Sequence, residues 1–196
     1  MKIEFIIPTY ERTDLLMTSV SSIVSQSNPN WKIHVIADGP SEEAKERLSR
    51  IMEYYKNDDR IKWTILKERY NDWGHTPRNI GLDEATEEWV VMTGEDNYYV
   101  PFFCEAFLSS VKDKPNVNFV YCNMVHNWMN NDYIPLRSEP RKNFIDIGNF
   151  MSKAENSKQL KLEITKIDAD GYFVEDYLKR FPNEIIHIDK ILYVHN

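Results

Sequence analysis

The amino-acid sequence predicts an α/β fold, a mostly parallel central sheet flanked by helices, in a single domain spanning residues 1–196. Three observations predict it. Short apolar runs recur along the chain, each bounded by turn residues and too brief for a helix. Segments with apolar residues at helical spacing lie between them. The intervening lengths suit crossover connections, which parallel strands require.

Residues 2–8 form a nearly continuous apolar run, the pattern of a strand buried on both faces. A helix is expected over residues 13–26, where Leu16, Val20, Ile23 and Val24 make one stripe. Residues 32–37 read as a second strand, closed by Asp38-Gly39-Pro40. Ser41 is the expected cap of a helix with an acidic first turn, in which Ala44, Leu48, Ile51, Met52 and Tyr55 recur at helical spacing. Residues 61–66 are a third strand, 78–85 a short helix and 89–93 a fourth strand. Pro101 opens a helix reaching about Val111, and residues 117–123 make a fifth strand. Residues 128–163 read as irregular, broken by Pro135, Pro140 and Gly148. A last helix covers 171–181, with Phe173, Tyr177 and Phe181 on one stripe, and a last strand 185–194.

Composition narrows the function. With 24 basic and 31 acidic residues the net charge is −7, which argues against general nucleic-acid binding. There are 6 Gly, no two of them separated by one residue, as the dinucleotide fingerprint needs, or by four, as the P-loop needs, so neither is present. Cys104 and Cys122 lie in apolar segments and read as free thiols of a reducing compartment. Residues 1–8 do not make a signal peptide, and no run approaches the roughly 20 apolar residues of a membrane span. A cytoplasmic location is expected.

In a parallel sheet ligands bind beyond the carboxyl ends of the strands. The second tip carries Asp38, whose carboxylate could accept from a base or ribose, or simply organise the turn. The third carries Gly74, His75 and Arg78, the last suited to phosphate or carboxylate. The fourth carries Gly94-Glu95-Asp96-Asn97, hard oxygen donors that suit Mg²⁺ or Mn²⁺, or equally a solvated acidic turn. Asp170 stands just before the last helix, where it is expected as N-cap and is also a rigidly held candidate base. His195 follows an apolar strand that anchors it, so its imidazole is a candidate metal ligand.

Read together, the tips resemble the family 2 glycosyltransferases of the GT-A (Rossmann-like) fold. Residues 6–12, Ile-Ile-Pro-Thr-Tyr-Glu-Arg, are similar to that family's opening segment, and residues 36–39 to its Asp-Asp-Gly turn. Arg78-Asn79-Ile80-Gly81-Leu82, with Ala85 beyond, is similar to its Arg-Asn helix. Gly94 to Asn97 with Pro101 stand in the place of its metal-binding segment, with Gly94 where the first Asp would be and Ala37 replacing one Asp of the turn. The resemblance runs in register over residues 2–111 and more loosely to the end.

The resemblance implies a division into a nucleotide-sugar half, residues 1–111, and an acceptor and catalytic half, residues 112–196. It places Pro8, Thr9, Tyr10, Arg12, Asp38, Gly39, Arg78, Asn79, Glu95 and Asp96 around the nucleotide sugar. Asp96 and His195 would hold Mn²⁺ or Mg²⁺. Asp170, with Asp176 as alternative, would be the catalytic base. Trp73, His75, Trp128, Gly148, Asn149 and Tyr172 would face the sugar or acceptor. The implied reaction is metal-dependent inverting transfer from a UDP-sugar, with galactose or glucose as default, to an acceptor hydroxyl. Whether the acceptor is a sugar, a lipid-linked molecule or a protein is left open, as is the oligomeric state. The alternatives are a non-catalytic nucleotide-sugar-binding or interaction module, motivated by Gly94 and Ala37, and a sugar-phosphate nucleotidyltransferase, whose usual Gly-rich loop residues 8–14 lack.

Overall fold

The computed structural model describes residues 1–127 and 132–196. Along the chain they form β1 (Ile3–Thr9), α1 (Thr13–Val24), β2 (Trp31–Ala37), α2 (Glu42–Tyr54), β3 (Ile61–Ile65), α3 (His75–Glu84), β4 (Trp89–Met92), β5 (Tyr98–Tyr99), α4 (Phe103–Ser110), β6 (Val117–His126), β7 (Ile134–Leu136), β8 (Phe150–Lys153), α5 (Ala154–Leu160), α6 (Ala169–Arg180) and β9 (Glu184–His195). The strands make one sheet in the order β3-β2-β1-β4-β8-β6-β9-β5, with β7 added beside β6. β3, β2, β1 and β4 run parallel, as expected of strands joined by helical crossovers. β8 is antiparallel to both β4 and β6, whereas β6 and β9 are parallel to one another.

β8 and α5 lie within the stretch that reads as irregular. Their 4 and 7 residues are too few for either period to stand out, and pairing on both sides makes Phe150–Lys153 a strand.

Both faces of the sheet are covered. Ile3, Phe5 and Ile7 of β1 join one core, against α1, α2 and α4, while Ile6 joins the other, with Leu82 of α3 and Phe173 and Tyr177 of α6. The two-residue period thus splits β1 between two cores, which is why its sequence shows no polar face. Gly81 lets α3 lie close on the sheet, since a Cβ there would stand 2.5 Å from Ile6 Cγ2 and 2.7 Å from Ile36 Cδ1. That contact sets the depth at which Arg78, one turn earlier, enters the region beyond the strand ends. Among the described residues no helix is long and apolar enough to cross a membrane.

Candidate active site

The first and fourth tips are tied together. The Thr9 hydroxyl and the Tyr10 N–H (3.1 Å) both donate to Glu95 Oε2. Arg12 donates from Nε to Glu95 Oε1 at 2.8 Å and from Nη1 to Asp96 Oδ2 at 2.6 Å. Burial pulls the Arg12 pKa down, but the Asp96 and Glu95 carboxylates outweigh it and hold the group above its ordinary value. The second tip is tied to the loop before α3, where Asp38 accepts from the N–H groups of Tyr70 (2.9 Å) and Asn71 (3.2 Å). In that loop Asn71 (φ 54), Trp73 (φ 57) and Gly74 (φ 80) are all left-handed. Two non-glycine residues in that conformation store backbone strain, which the Asp38 bonds offset.

These tips enclose a cavity of about 500 Å³ lined by Pro8, Thr9, Tyr10, Arg12, Asp38 and Arg78 among others. The Arg69 guanidinium lies 3.7 Å over the Tyr10 ring, and Trp73 stands exposed on the cavity wall.

A second cavity of about 290 Å³ adjoins it, with Arg12, Arg78, Asp96, Asp146, Asp170 and His195 on its walls. Arg78 is buried and donates to the carbonyls of Thr93 and Trp73, each at 2.9 Å. Burial lowers its pKa, and the nearby Asp146 and Asp170 carboxylates act the other way. Asp146 Oδ1 accepts from the Tyr193 hydroxyl at 2.6 Å and the Gly148 N–H at 2.8 Å. Its Oδ2 lies 3.4 Å from His195 Nε2, and the His195 ring stacks on His126 with centroids 4.4 Å apart. A third cavity, of about 790 Å³, has an aliphatic wall of Met124, Ile134, Leu136 and Ile145 and shares Asp146, Asp170 and His195 with the second.

Asp170 is not the N-cap of α6. The helix begins at Ala169, whose complete burial draws the first turn inward, and Asp168 takes the capping position without making a side-chain capping bond. Asp170 lies in the first turn, where its Oδ1 accepts from the Gly171 N–H at 2.7 Å. Burial, with Asp146 adding like charge, raises its carboxyl pKa from 3.8 to about 6. Asp176 is exposed on the same helix and lines none of the three cavities.

Several residues expected at the ligand instead hold the site's frame. Asn79 spends its amide on both backbone groups of Leu162, at 3.0 and 2.8 Å. Gly39 faces the backbone of Glu68 and Arg69. Gly148 packs on the Tyr193 ring, and the buried Asn149 bonds Cys122, Ser138 and Asp146. Tyr172 sits under the ammonium groups of Lys142 and Lys166, away from the three cavities. His75 lines the second cavity but is tied to the Lys166 carbonyl at 2.9 Å, and burial lowers its pKa. Trp128 lies outside the described residues. Asp146 is not singled out as a site residue by the sequence, although it stands in Ile145-Asp146-Ile147-Gly148-Asn149-Phe150, a stretch similar to the family's segment on the sugar and acceptor side, and a carboxylate between two isoleucines signals a buried charge that needs partners.

Asp96 and His195 line the second cavity together and are the residues that could hold a divalent ion there, since Asp96 Oδ1 takes no hydrogen bond among the described residues and the buried His195 Nδ1 has no hydrogen-bond partner. Asp96 Oδ2 is held by Arg12, and His195 Nε2 faces Asp146. Gly94 offers no side-chain donor, and among the described residues no three His, Cys, Asp or Glu side chains converge so as to hold a metal ion.

Comparison with known proteins agrees with this layout. The family model described as Glycosyl transferase family 2 matches residues 4–163. A Campylobacter jejuni protein named GalNAc(5)-diNAcBac-PP-undecaprenol beta-1,3-glucosyltransferase is 30% identical over 120 residues, 61% of this chain and 36% of that protein. Among solved structures, residues 1–349 of Staphylococcus aureus TarS superpose with a TM-score of 0.79 at 19% identity, over 100% of this chain and 60% of TarS 1–349. The mannosyltransferase PcManGT of Pyrobaculum calidifontis, solved with GDP-Man and Mn²⁺, gives 0.74 at 18% identity, over 99% of this chain and 56% of its own. The chain thus spans well under half of the curated relative and about 60% of each solved neighbour. At these identities the solved structures speak for the fold alone, and the fold is GT-A.

Proposed function

The chain belongs to glycosyl transferase family 2, and from that premise we propose that it moves a sugar from a nucleotide-diphosphate sugar to an acceptor hydroxyl, with Asp170 as base. One observation carries this: Asp170 stands on the wall that the second and third cavities share, with its pKa raised to about 6. A base poised there is ionised at neutral pH yet basic enough to accept a proton in the transition state.

The donor occupies the first cavity, its base and ribose against Thr9, Tyr10 and Asp38, and its diphosphate reaches toward Arg12 and Arg78. The acceptor enters through the third cavity. Its hydroxyl oxygen attacks the anomeric carbon, Asp170 takes the hydroxyl proton, and the bond from that carbon to the diphosphate oxygen breaks. One displacement inverts the anomeric configuration. In this arrangement residues 1–111 supply the donor cavity, and 112–196 supply Asp146, Asp170 and His195.

A UDP-sugar is the favoured donor, with glucose or galactose as the sugar. The name of the Campylobacter relative, a glucosyltransferase, and the solved complex of TarS with UDP support that choice. Lipid-linked acceptors enter as candidates through the same relative's name. The metal dependence implied by the resemblance has the Mn²⁺ of PcManGT and the unpartnered His195 Nδ1 in its favour; an ion held by Asp96 and His195 would offset the charge of the departing diphosphate. Incubating the protein with a panel of nucleotide sugars and glycan or lipid acceptors, and measuring released nucleoside diphosphate, tests the proposal. Release with one donor supports it. Tight nucleotide binding with no release selects a non-catalytic binding module.

A further inference from the structure

The wall of the third cavity, about 790 Å³ in volume, is set by strand register. β6 and β7 pair antiparallel, with Met124 opposite Leu136 and His126 opposite Ile134. Opposed residues share a face of a sheet and every second residue repeats it, so these four side chains stand on one face. All four line the cavity, and Ile145 and Ile167 complete its apolar part. Single exposed isoleucines are ordinary on a protein surface. Ile134 and Ile167 differ from these, because at 62% and 70% exposed they line the same cavity as the buried Met124 and Ile145. The apolar wall therefore runs from buried to exposed side chains, and it shares its cavity with Asp170.

The strongly charged part of the wall has one sign. Asp132, Asp146, Asp168 and Asp170 line it, and among the described residues no Lys or Arg does. Lys142 offsets Asp168 from outside the wall, at 2.5 Å. A phosphate or carboxylate close to the reacting hydroxyl would meet like charge, at a cost in affinity. An apolar body there would instead cover the isoleucines and be removed from water itself. We propose that the acceptor is a neutral hydroxyl compound with an apolar body beside the reacting hydroxyl, seated against Ile134 and Ile167, and with no phosphate or carboxylate in the cavity. This inference rests on the nucleotide-sugar reading above and narrows its acceptor. A compact aromatic or alkyl group and the first part of a lipid chain offer the same chemistry to this wall.

Calorimetric titration of the whole chain, first with UDP in Mn²⁺ and then with acceptor probes, tests this without turnover. The probes are the methyl, phenyl, octyl and dodecyl glycosides of glucose, galactose and N-acetylglucosamine, below micelle formation, and the matching sugar 1-phosphates. For at least one sugar, the octyl glycoside is expected to bind at least about tenfold tighter than the methyl glycoside, which burial of two methylene groups supplies. The sugar 1-phosphate is expected to bind more weakly than either. Ile134→Ser combined with Ile167→Ser, both at exposed positions, is expected to erase the octyl preference and keep UDP binding. A phenyl glycoside equal to the octyl one marks a compact group, and a further rise to dodecyl marks a lipid chain; either supports the proposal. No glycoside binding, equal methyl and octyl affinities, a sugar 1-phosphate as tight as the octyl glycoside, or a preference that survives the double substitution overturns it. With UDP bound, those results leave the nucleotide-sugar reading standing. Failure to bind UDP overturns that reading and the acceptor proposal with it. The comparison of methyl with octyl needs no variant, so an unfolded double variant would not shelter the proposal.

Discussion

Replacing Asp170 by Asn should abolish transfer and, at the same time, stabilise the fold. The substitution keeps size and the oxygen that accepts from Gly171, but removes the proton acceptor. General-base catalysis is worth roughly 10²–10⁴-fold, so turnover should fall by that factor, about 3–5 kcal/mol of barrier. The stability effect follows from the raised pKa. Folding moves the Asp170 pKa from 3.8 to about 6, so the native state disfavours the charged form. The resulting penalty is absent below pH 4, grows as pH rises toward 6, and is complete above it. Converted in full it is about 3 kcal/mol. Because Asp170 borders an open cavity, solvent screening reduces this to roughly 1–2 kcal/mol. Asp170→Asn should therefore melt roughly 4 °C above the parent at pH 8, with the two curves converging as pH falls toward 4. Donor affinity should change little. The assay is turnover together with calorimetric melting across pH 4–8, with Asp176→Asn as control. More than a tenth of parental turnover in Asp170→Asn, or a matching loss in Asp176→Asn, would refute the assignment.

Asp146→Asn removes a carboxylate that adds to the raised pKa of Asp170, so the acidic limb of the rate profile should move to lower pH; an unmoved limb would uncouple the two groups. Asp38→Ala strands the N–H groups of Tyr70 and Asn71, and should cost about 2 kcal/mol in urea unfolding while raising donor KM. Gly81→Ala forces a methyl against Ile6 and Ile36 and should destabilise by about 1–3 kcal/mol, readable as a lower urea midpoint with an unchanged slope.

Much of the fold could be read along the chain. β1, β2, β3 and β4 lie within a residue or two of the runs that predict them, and β9 extends one residue past each end of its predicted run. Each announces itself locally, through an apolar run and its bounding turns. β8 does not, because its 4 residues become a strand only between β4 and β6. The candidate site divides in the same way. Thr9, Tyr10, Arg12, Asp38, Arg78 and Asp96 line the adjoining cavities at the strand ends, a placement legible in the sequence because strand ends in a parallel sheet converge on one edge. Asn79, Gly148, Asn149 and Tyr172 line none of the three cavities, because Asn79 and Asn149 bond distant backbone, Gly148 packs on Tyr193 and Tyr172 lies against two lysines.

By itself the sequence determined the alternation of strands and helices, the parallel half of the sheet and the placing of polar residues at its carboxyl edge. These depend on periodicity within about ten residues. The tertiary structure alone decided what each charged group does. Asp146 reaches the cavity because Tyr193, 47 residues away, hydrogen-bonds it there. Asp96 is bound to Arg12 across 84 residues, and Asp170 is raised to about 6 by burial and by Asp146. Such properties depend on which opposite charge, like charge or cavity lies within a few ångströms. Local pattern says where a carboxylate stands in the chain, and only the packed fold decides what surrounds it.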